Sequence, residues 1–437
     1  MKLNTFKGGI HPPYQKDSTA HKVTEEAPLP QKVVIPLVQH VGAPNEPLVA
    51  VGDKVEEGQK IGESEAFISA PVHASLSGTV MAIEERTNFA GRAVSSVVIE
   101  SESGQPDKWK EKRDVSTLEA EEIPRLAKEA GLVGLGGAAF PTHVKLSPPS
   151  DKPIDTVILN GCECEPFLTC DHRLLLEKPE EVIAGLELMM RAVKASKGIL
   201  GVEANKMDAI DMLEGLVSSR DGIEVVPLEV KYPQGNEKML IEAVTGRRVP
   251  PGKLPSEVGA LVQNIGTTVA LYEAAAFGKP VIERVVTVTG PGLKEPKNLV
   301  VKVGTSIDEL IECCGGFAGS PGKVIMGGPM TGFAQQDLSA VVVKGTSGVV
   351  VLSSESVEEE MERECVGCDK CVDACPMFLM PNMIVKYTKR AQYDKADFYG
   401  ARDCFECGCC SFVCPSRIPH VAYVRIAKAE IAAAKKK

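Results

Sequence analysis

The sequence predicts a multidomain α/β protein in four parts: a small β sandwich, a mostly parallel α/β domain, a small α+β module and a helical, cysteine-rich domain. Three observations carry this. Apolar residues alternate in short runs over 31–103, lengthen into β–α alternation over 116–280, and return to strand-like runs over 281–352. A glycine-rich loop opens the second pattern. Two cysteine tetrads of identical spacing fall within 355–437. A chain of 437 residues has ample material for several cores.

Composition narrows the function. Hydrophobic content of 43% with 25% charged residues is that of a soluble globular protein. A net charge of −10 gives no electrostatic attraction to nucleic acid, so no nucleic-acid partner is expected. No apolar run approaches the ~18 residues of a membrane span, so any membrane association is expected to be peripheral, through a partner. The opening MKLNTFKGGIHPP lacks the apolar core of a secretory signal. The 14 cysteines without such a signal fit a reducing cytosol. Lys435–Lys437 read as a solvated helix end, too few for a lipid-binding patch.

Residues 1–30 form a Pro-rich arm with no periodicity, and no packed element is expected there. Turns at Gly52-Asp53, Glu57-Gly58 and Ser77-Gly78 separate alternating apolar runs over 31–103, which reads as a β sandwich. His73 lies near one turn and reads as a polar surface group. Residues 104–115 form a polar linker holding the only Trp, Trp109. A short helix is expected over Pro124–Ala130, ended by Gly131.

Strands are then expected at Thr156–Leu159, Ile199–Val202 and Glu224–Val230. Helices are expected at Glu180–Ala195, Lys206–Val217 and Glu237–Val244. This alternation argues for a parallel, Rossmann-like sheet covered on both faces. Residues 281–352 suggest a β-grasp module, whose helix SIDELIECC places Cys313 and Cys314 as buried apolar residues.

The tetrads are Cys365-x2-Cys368-x2-Cys371-x3-Cys375-Pro376 and Cys404-x2-Cys407-x2-Cys410-x3-Cys414-Pro415. This is the bacterial ferredoxin run, in which the fourth Cys ligates the other cluster. Cys365, Cys368, Cys371 and Cys414 are therefore assigned to one [4Fe–4S] cluster; Cys404, Cys407, Cys410 and Cys375 are assigned to the second. Zinc favours two separated pairs instead. The Met-rich stretch between the tetrads is expected to pack over the clusters.

The loop Gly131–Lys145 places Gly134, Gly136 and Gly137 together, so backbone N–H groups can approach a phosphate or flat ring without Cβ interference. Lys145 would neutralise phosphate charge. Asn160-Gly-Cys162-Glu163-Cys164-Glu165-Pro166 follows a strand, where α/β ligand sites lie. Gly235-Asn236-Glu237 opens a helix, an anion position. Gln263-Asn264-Ile265-Gly266 is an amide-rich turn. Cys162, Cys164 and Cys170 stand outside the tetrads and read as packing residues.

On these residues the chain resembles three families. The GDKVEEGQ and APVHASLSGTV turns resemble the barrel-sandwich hybrid of biotinyl and lipoyl carriers. No lysine lies between Lys60 and Lys108, so the attachment residue is absent and a scaffold or docking role is expected. Residues 131–270 resemble the NADH-oxidising flavoprotein subunit of respiratory complex I. That resemblance implies that Gly134, Gly136, Gly137, Lys145, Asn160, Glu163, Gly235, Glu237 and Asn264 line FMN, with Phe140 at the nicotinamide side. Leu135 stands where complex I subunits have a basic residue. Cys162 replaces an Asp, Asn236 an acid and Gly266 a Glu.

Across nearly the whole chain the FKGGIHPP arm, GLVGLGGAAFPTHVK, ILNGCECEP, RRVPPGKLPSEVG, GGPMTG and both cysteine runs resemble the RnfC subunit of the Rnf electron-transport complex. The resemblance implies a peripheral membrane protein on the cytoplasmic side, carrying FMN, an NAD(H) site and two [4Fe–4S] clusters. Its partners would be the membrane and iron–sulfur subunits and, indirectly, ferredoxin, with electron flow coupled to Na⁺ or H⁺ transport. Glu163 or Glu237 would bond the nicotinamide ribose or amide. Two alternatives are a soluble reductase resembling cobalamin reductase and a flavin-free electron-wiring subunit.

Overall fold

The computed structural model describes residues 3–102, 104–105, 108–357 and 361–434; the Lys435–Lys437 tail lies outside them. The N-terminal arm corrects the expectation that it packs nowhere. Asn4 bridges to Leu228 and Ile10 to Tyr232, and the Gly9 N–H donates to the Ala374 carbonyl at 3.0 Å. Further on, the Phe167 N–H donates to Tyr14 O at 2.7 Å. Strand β1 (Glu25–Glu26) then pairs in parallel with a strand of the third domain. The arm is a strap whose backbone groups are satisfied by other domains. It has no periodicity of its own because no single face covers it.

The sandwich follows. Strands β2 (Lys32–Pro36), β3 (Glu46–Pro47), β4 (Lys54–Val55), β5 (Lys60–Glu63), β6 (Val72–His73), β7 (Gly78–Thr87) and β8 (Ala93–Ser101) form sheets ordered β2-β8-β7-β4 and β3-β5-β6. Val33, Ile35, Val97 and Ile99 alternate inward and meet Leu37, Ile61, Val72 and Leu76 from the facing side. His73 is not on the surface. It is 5% exposed, and its Nδ1 has no partner. Burial, with Lys344 and Lys60 nearby, depresses its pKa to about 3, so the ring is neutral. Trp109, expected in a solvated linker, presses its ring on Gly58, where a Cβ would lie 2.7 Å from it.

The second domain contains α1 (Glu122–Glu129), α2 (Thr142–Lys145), β9 (Thr156–Gly161), α3 (Cys170–Glu177), α4 (Pro179–Val193), β10 (Lys197–Glu203), α5 (Met207–Val217), β11 (Ile223–Leu228), α6 (Glu237–Thr245), β12 (Ala260–Asn264) and α7 (Ile265–Phe277). The sheet order is β11-β10-β9-β12, all parallel. Val157, Leu159, Leu200 and Val202 face one helical layer, while Ile158 and Ile199 face the other. That alternation explains why each strand reads as a continuous apolar run. The chain runs outward from β9 to β11, then returns to place β12 on the other side of β9. The β9/β12 junction is thus the topological switch point, outside whose carboxyl ends ligands bind.

The third domain has β13 (Glu283–Thr289), β14 (Lys297–Lys302), α8 (Ile307–Cys313), β15 (Pro321–Met326), β16 (Phe333–Gln335) and β17 (Gly348–Ser353), in the sheet order β1-β14-β13-β17-β15-β16. Helix α8 opens on a Ser306/Glu309 capping box. Its Cys314 is fully buried and Cys313 half-buried. The last domain is helical: α9 (Lys370–Asp373), α10 (Pro381–Thr388), α11 (Tyr393–Phe398), α12 (Cys409–Phe412) and α13 (His420–Ala434). Ile384, Ala396, Ala401, Val424 and Ala427 form its core.

Candidate functional site

Asn160 is the penultimate residue of β9 and Asn264 ends β12, and the two are register partners across the switch point. The glycine loop lies above them. A Cβ on Gly136 would approach Asn264 Nδ2 to 3.2 Å, so any larger residue would push the Asn264 amide aside. Gly137 has φ +107° and open space beyond its Cα. Gly134 closes the loop, donating to Phe140 O at 2.8 Å while its own carbonyl accepts from Ala139 at 3.0 Å. Leu135 is buried, its N–H donating to Thr267 Oγ1 at 2.9 Å. Gly235 packs against Asn160, which donates to the Gly235 carbonyl at 2.7 Å.

Eight of the ten residues expected to hold a cofactor make contacts that tie them to this crevice or its walls: Gly134, Gly136, Phe140, Lys145, Asn160, Gly235, Glu237 and Asn264. Gly137 belongs by position in the loop. Lys145 donates to Glu237 Oε1 at 2.8 Å and to the Val262 carbonyl at 3.1 Å, so its charge is already compensated. The Glu163 carboxylate accepts from the Asp171 and His172 N–H groups at 2.7 and 3.2 Å, capping α3, so it has a structural role beside any toward a cofactor.

The structure adds residues that the motifs did not reveal. Arg284 of β13, buried, reaches under the loop and donates to Leu135 O at 3.0 Å, while its Nε has no partner. A basic group thus arrives from another domain, where Leu135 itself offers none. Asp171 accepts from Asn264 Nδ2 at 2.7 Å. Burial, then the Glu163 charge, pushes its pKa up to about 7. Lys16 of the strap donates to the Glu163 and Leu168 carbonyls at 2.6 and 2.5 Å. These contacts span 75 or more residues of sequence and leave no local pattern. Cys162, Cys164 and Cys170 are buried, and burial pushes all three thiols up, which keeps them protonated and inert.

The tetrads ring two recesses. One is lined by Cys365, Cys368, Cys371 and Cys414, the other by Cys375, Cys404, Cys407 and Cys410 together with Cys409. The fourth cysteine of each run therefore crosses to the other recess. Matched left-handed backbone positions make this possible: Gly367 and Glu406, Asp369 and Gly408, Phe378 and Arg417. Leu379, Pro381 and Ile384 of the intervening stretch wall the second recess, whereas Met380 is exposed. Among the described residues no three His, Cys, Asp or Glu side chains converge on a single-ion site. Four thiols in the ferredoxin spacing, with the fourth crossing between recesses, suit a cluster better than zinc.

The second recess adjoins the crevice. Tyr232 donates its hydroxyl to the Cys407 carbonyl at 2.7 Å, and Cys164, Cys409, Ala374 and Ile10 pack with it in one apolar cluster. Cys164 Sγ in turn accepts from the Gly235 N–H at 3.3 Å. Cys365 and Cys368 of the first recess are exposed.

Glycine-lined switch point, half-buried carboxamides and two thiol cages together define a modular flavin and iron–sulfur electron-transfer protein. Family models agree in order along the chain: an RnfC barrel-sandwich hybrid domain at 4–104, a Nuo51 FMN-binding domain at 127–273, an SLBB domain at 285–334 and a 4Fe-4S dicluster domain at 358–415. The RnfC subunit of the Na⁺-translocating ferredoxin:NAD⁺ oxidoreductase complex of Acetobacterium woodii is 46% identical over 100% of this chain and 99% of its own. Its proton-translocating counterpart in Clostridium ljungdahlii is 44% identical over 99% of this chain and 95% of its own. The chain belongs to the RnfC family of Rnf complex subunits. Its cofactors are FMN and two [4Fe–4S] clusters, and it is an oxidoreductase subunit. An NAD⁺-reducing [NiFe]-hydrogenase in the H2-reduced state shares the fold at TM-score 0.50 and 20% identity, over 74% of this chain and 62% of its own. No helix among the described residues is long and apolar enough to cross a membrane.

Proposed function

We propose that the chain is the peripheral, cytoplasmic-side subunit at which an Rnf complex exchanges electrons with NAD(H), coupled elsewhere in the complex to Na⁺ or H⁺ transport. The observation that carries this is the shared apolar cluster of Cys164, Tyr232 and Cys409, which joins the crevice to the second thiol recess. When bound, FMN supplies the exchange between hydride transfer and single electrons, which iron–sulfur clusters carry.

The protein's own residues do the rest. Gly134, Gly136, Gly137 and Gly235 admit the flat ring and phosphate to the backbone. Lys145 and Glu237 form an ion pair able to reorganise around the phosphate or a ribose. Asn160 and Asn264 present carboxamides from the strand ends, and Phe140 covers the nicotinamide side. Cys375, Cys404, Cys407 and Cys410 hold the cluster nearest the crevice. Cys365, Cys368, Cys371 and Cys414 hold the outer one, whose exposed thiols face a partner subunit.

The test is an anaerobic NADH titration of the purified chain, with iron, sulfide and FMN assayed on the same sample. Bleaching of flavin absorbance and about eight irons per chain are expected. Full flavin and iron content with no bleaching would remove the nicotinamide site from this subunit.

A further inference from the structure

Asn264 ends β12 and caps α7: its Oδ1 accepts from the Thr267 N–H at 3.3 Å. Its Nδ2 then points away from the helix and donates to Asp171 Oδ2 at 2.7 Å. The two ends of a carboxamide are told apart only by their partners. Asp171 therefore decides which way the amide beneath Gly136 faces. Its carboxylate also accepts from the Gly266 N–H, tying α3 to the first turn of α7 across the switch point.

We propose that Asp171 is the positioning residue of the flavin pocket: it fixes the Asn264 amide, and its protonation makes flavin retention weaken as pH rises through neutrality. This rests on the reading that FMN occupies the crevice.

The groups facing Asp171 set the sign. Glu163, from the loop after β9, is a second carboxylate in the same buried region. Arg284, from β13, is the compensating cation, and its guanidinium is shared with Leu135 O. Cys170 and His172 flank Asp171 on α3; the thiol is held protonated by burial, and burial lowers the His172 pKa. β12 and α7 contribute the Asn264 amide and the Gly266 N–H, both neutral donors. Lys16 of the strap also faces Glu163, yet around Asp171 burial, then the Glu163 charge, outweighs Arg284 and pushes its pKa up to about 7. FMN brings a phosphate of charge about −1.5 to −2. Bound in the crevice, where Gly136 packs on the Asn264 amide that Asp171 holds, that anion would favour the protonated carboxyl, so binding would take up a proton at Asp171. A carboxyl protonated on one oxygen still accepts from Asn264 on the other.

The experiment measures FMN affinity of the flavin-stripped full chain, clusters intact, by quenching of FMN fluorescence at pH 6, 7 and 8. In the unsubstituted protein Kd is expected to rise on the order of tenfold from pH 6 to 8. Asp171→Asn should keep only the slope that the FMN phosphate contributes. Added to Asn264→Ala, it should cost less than about twofold more, because the two act as one unit. Glu163→Gln should move the transition to more acidic pH, and it decides the matter should Asp171→Asn fail to accumulate with full iron content. An unchanged slope in both variants, or fully additive losses, overturns the inference while leaving the flavin site standing. Failure of the unsubstituted chain to bind FMN at any of the three pH values overturns both.

Discussion

Cys375 belongs to the first tetrad by sequence and to the second recess by position, beside Cys404, Cys407 and Cys410. The run of cysteines is readable by spacing alone, because only a fixed ligand geometry makes two x2 gaps and a trailing x3-Cys-Pro useful. The crossing leads to an asymmetric prediction. Cys375→Ser should perturb the cluster held by the second tetrad and leave the outer one intact, with iron falling from about eight toward about four per chain. Cys414→Ser should do the reverse. Electron paramagnetic resonance of the reduced variants separates the two, and loss of the same signal in both would contradict the crossing. Nothing comparable announced Asp171 or Arg284. Each acts through a partner on another element, and a charge beside other charged residues, as in Asp171-His172-Arg173 and Glu283-Arg284, has no spacing to single it out.

At the scale of elements, the strands and helices of the second domain were legible because its sheet is covered on both faces. Continuous runs such as Thr156–Leu159 and Ile199–Val202 admit few other readings, and the observed strands extend them by one to a few residues. His73 was not legible. A histidine at a turn looks solvated, yet the end of β6 is covered by Lys344, whose ammonium donates to the Pro71 and Gly131 carbonyls at 2.6 Å each. Those bonds clip the sandwich and the glycine loop to the third domain. The junction should be acid-labile. The folded His73 pKa of about 3 lies below the ordinary 6.5, so its contribution is complete above pH 6.5 and is lost as pH falls toward 3. Between pH 7 and 5 the loss is on the order of 2 kcal/mol. His73→Gln should therefore narrow the gap in melting temperature between those pH values. An equal gap in both proteins would place the acid sensitivity elsewhere.

Over the whole molecule, the strap makes one unit of parts that read as separate domains in the sequence. It touches β11 at Asn4, the cysteine domain at Gly9, the loop after β9 at Tyr14 and Lys16, and β14 at Glu25 and Glu26. Lys16 is the central tie. Its ammonium is buried, with burial lowering its pKa, and it satisfies the Glu163 and Leu168 carbonyls on either side of the Glu165-Pro166 turn. Lys16→Met keeps the aliphatic stem and removes both bonds, leaving two carbonyls short of a donor at about 1–3 kcal/mol each. The loop that carries Glu163 and Cys164 should then open locally before the domain unfolds. Amide hydrogen exchange should quicken over 162–168 while exchange in β9 and β10 stays slow. FMN content should fall with it, and iron content should hold, since Lys16 touches neither tetrad. Slow exchange in the variant would mean that the loop is held by Glu163 capping α3 alone, and that the strap covers the crevice wall without bracing it.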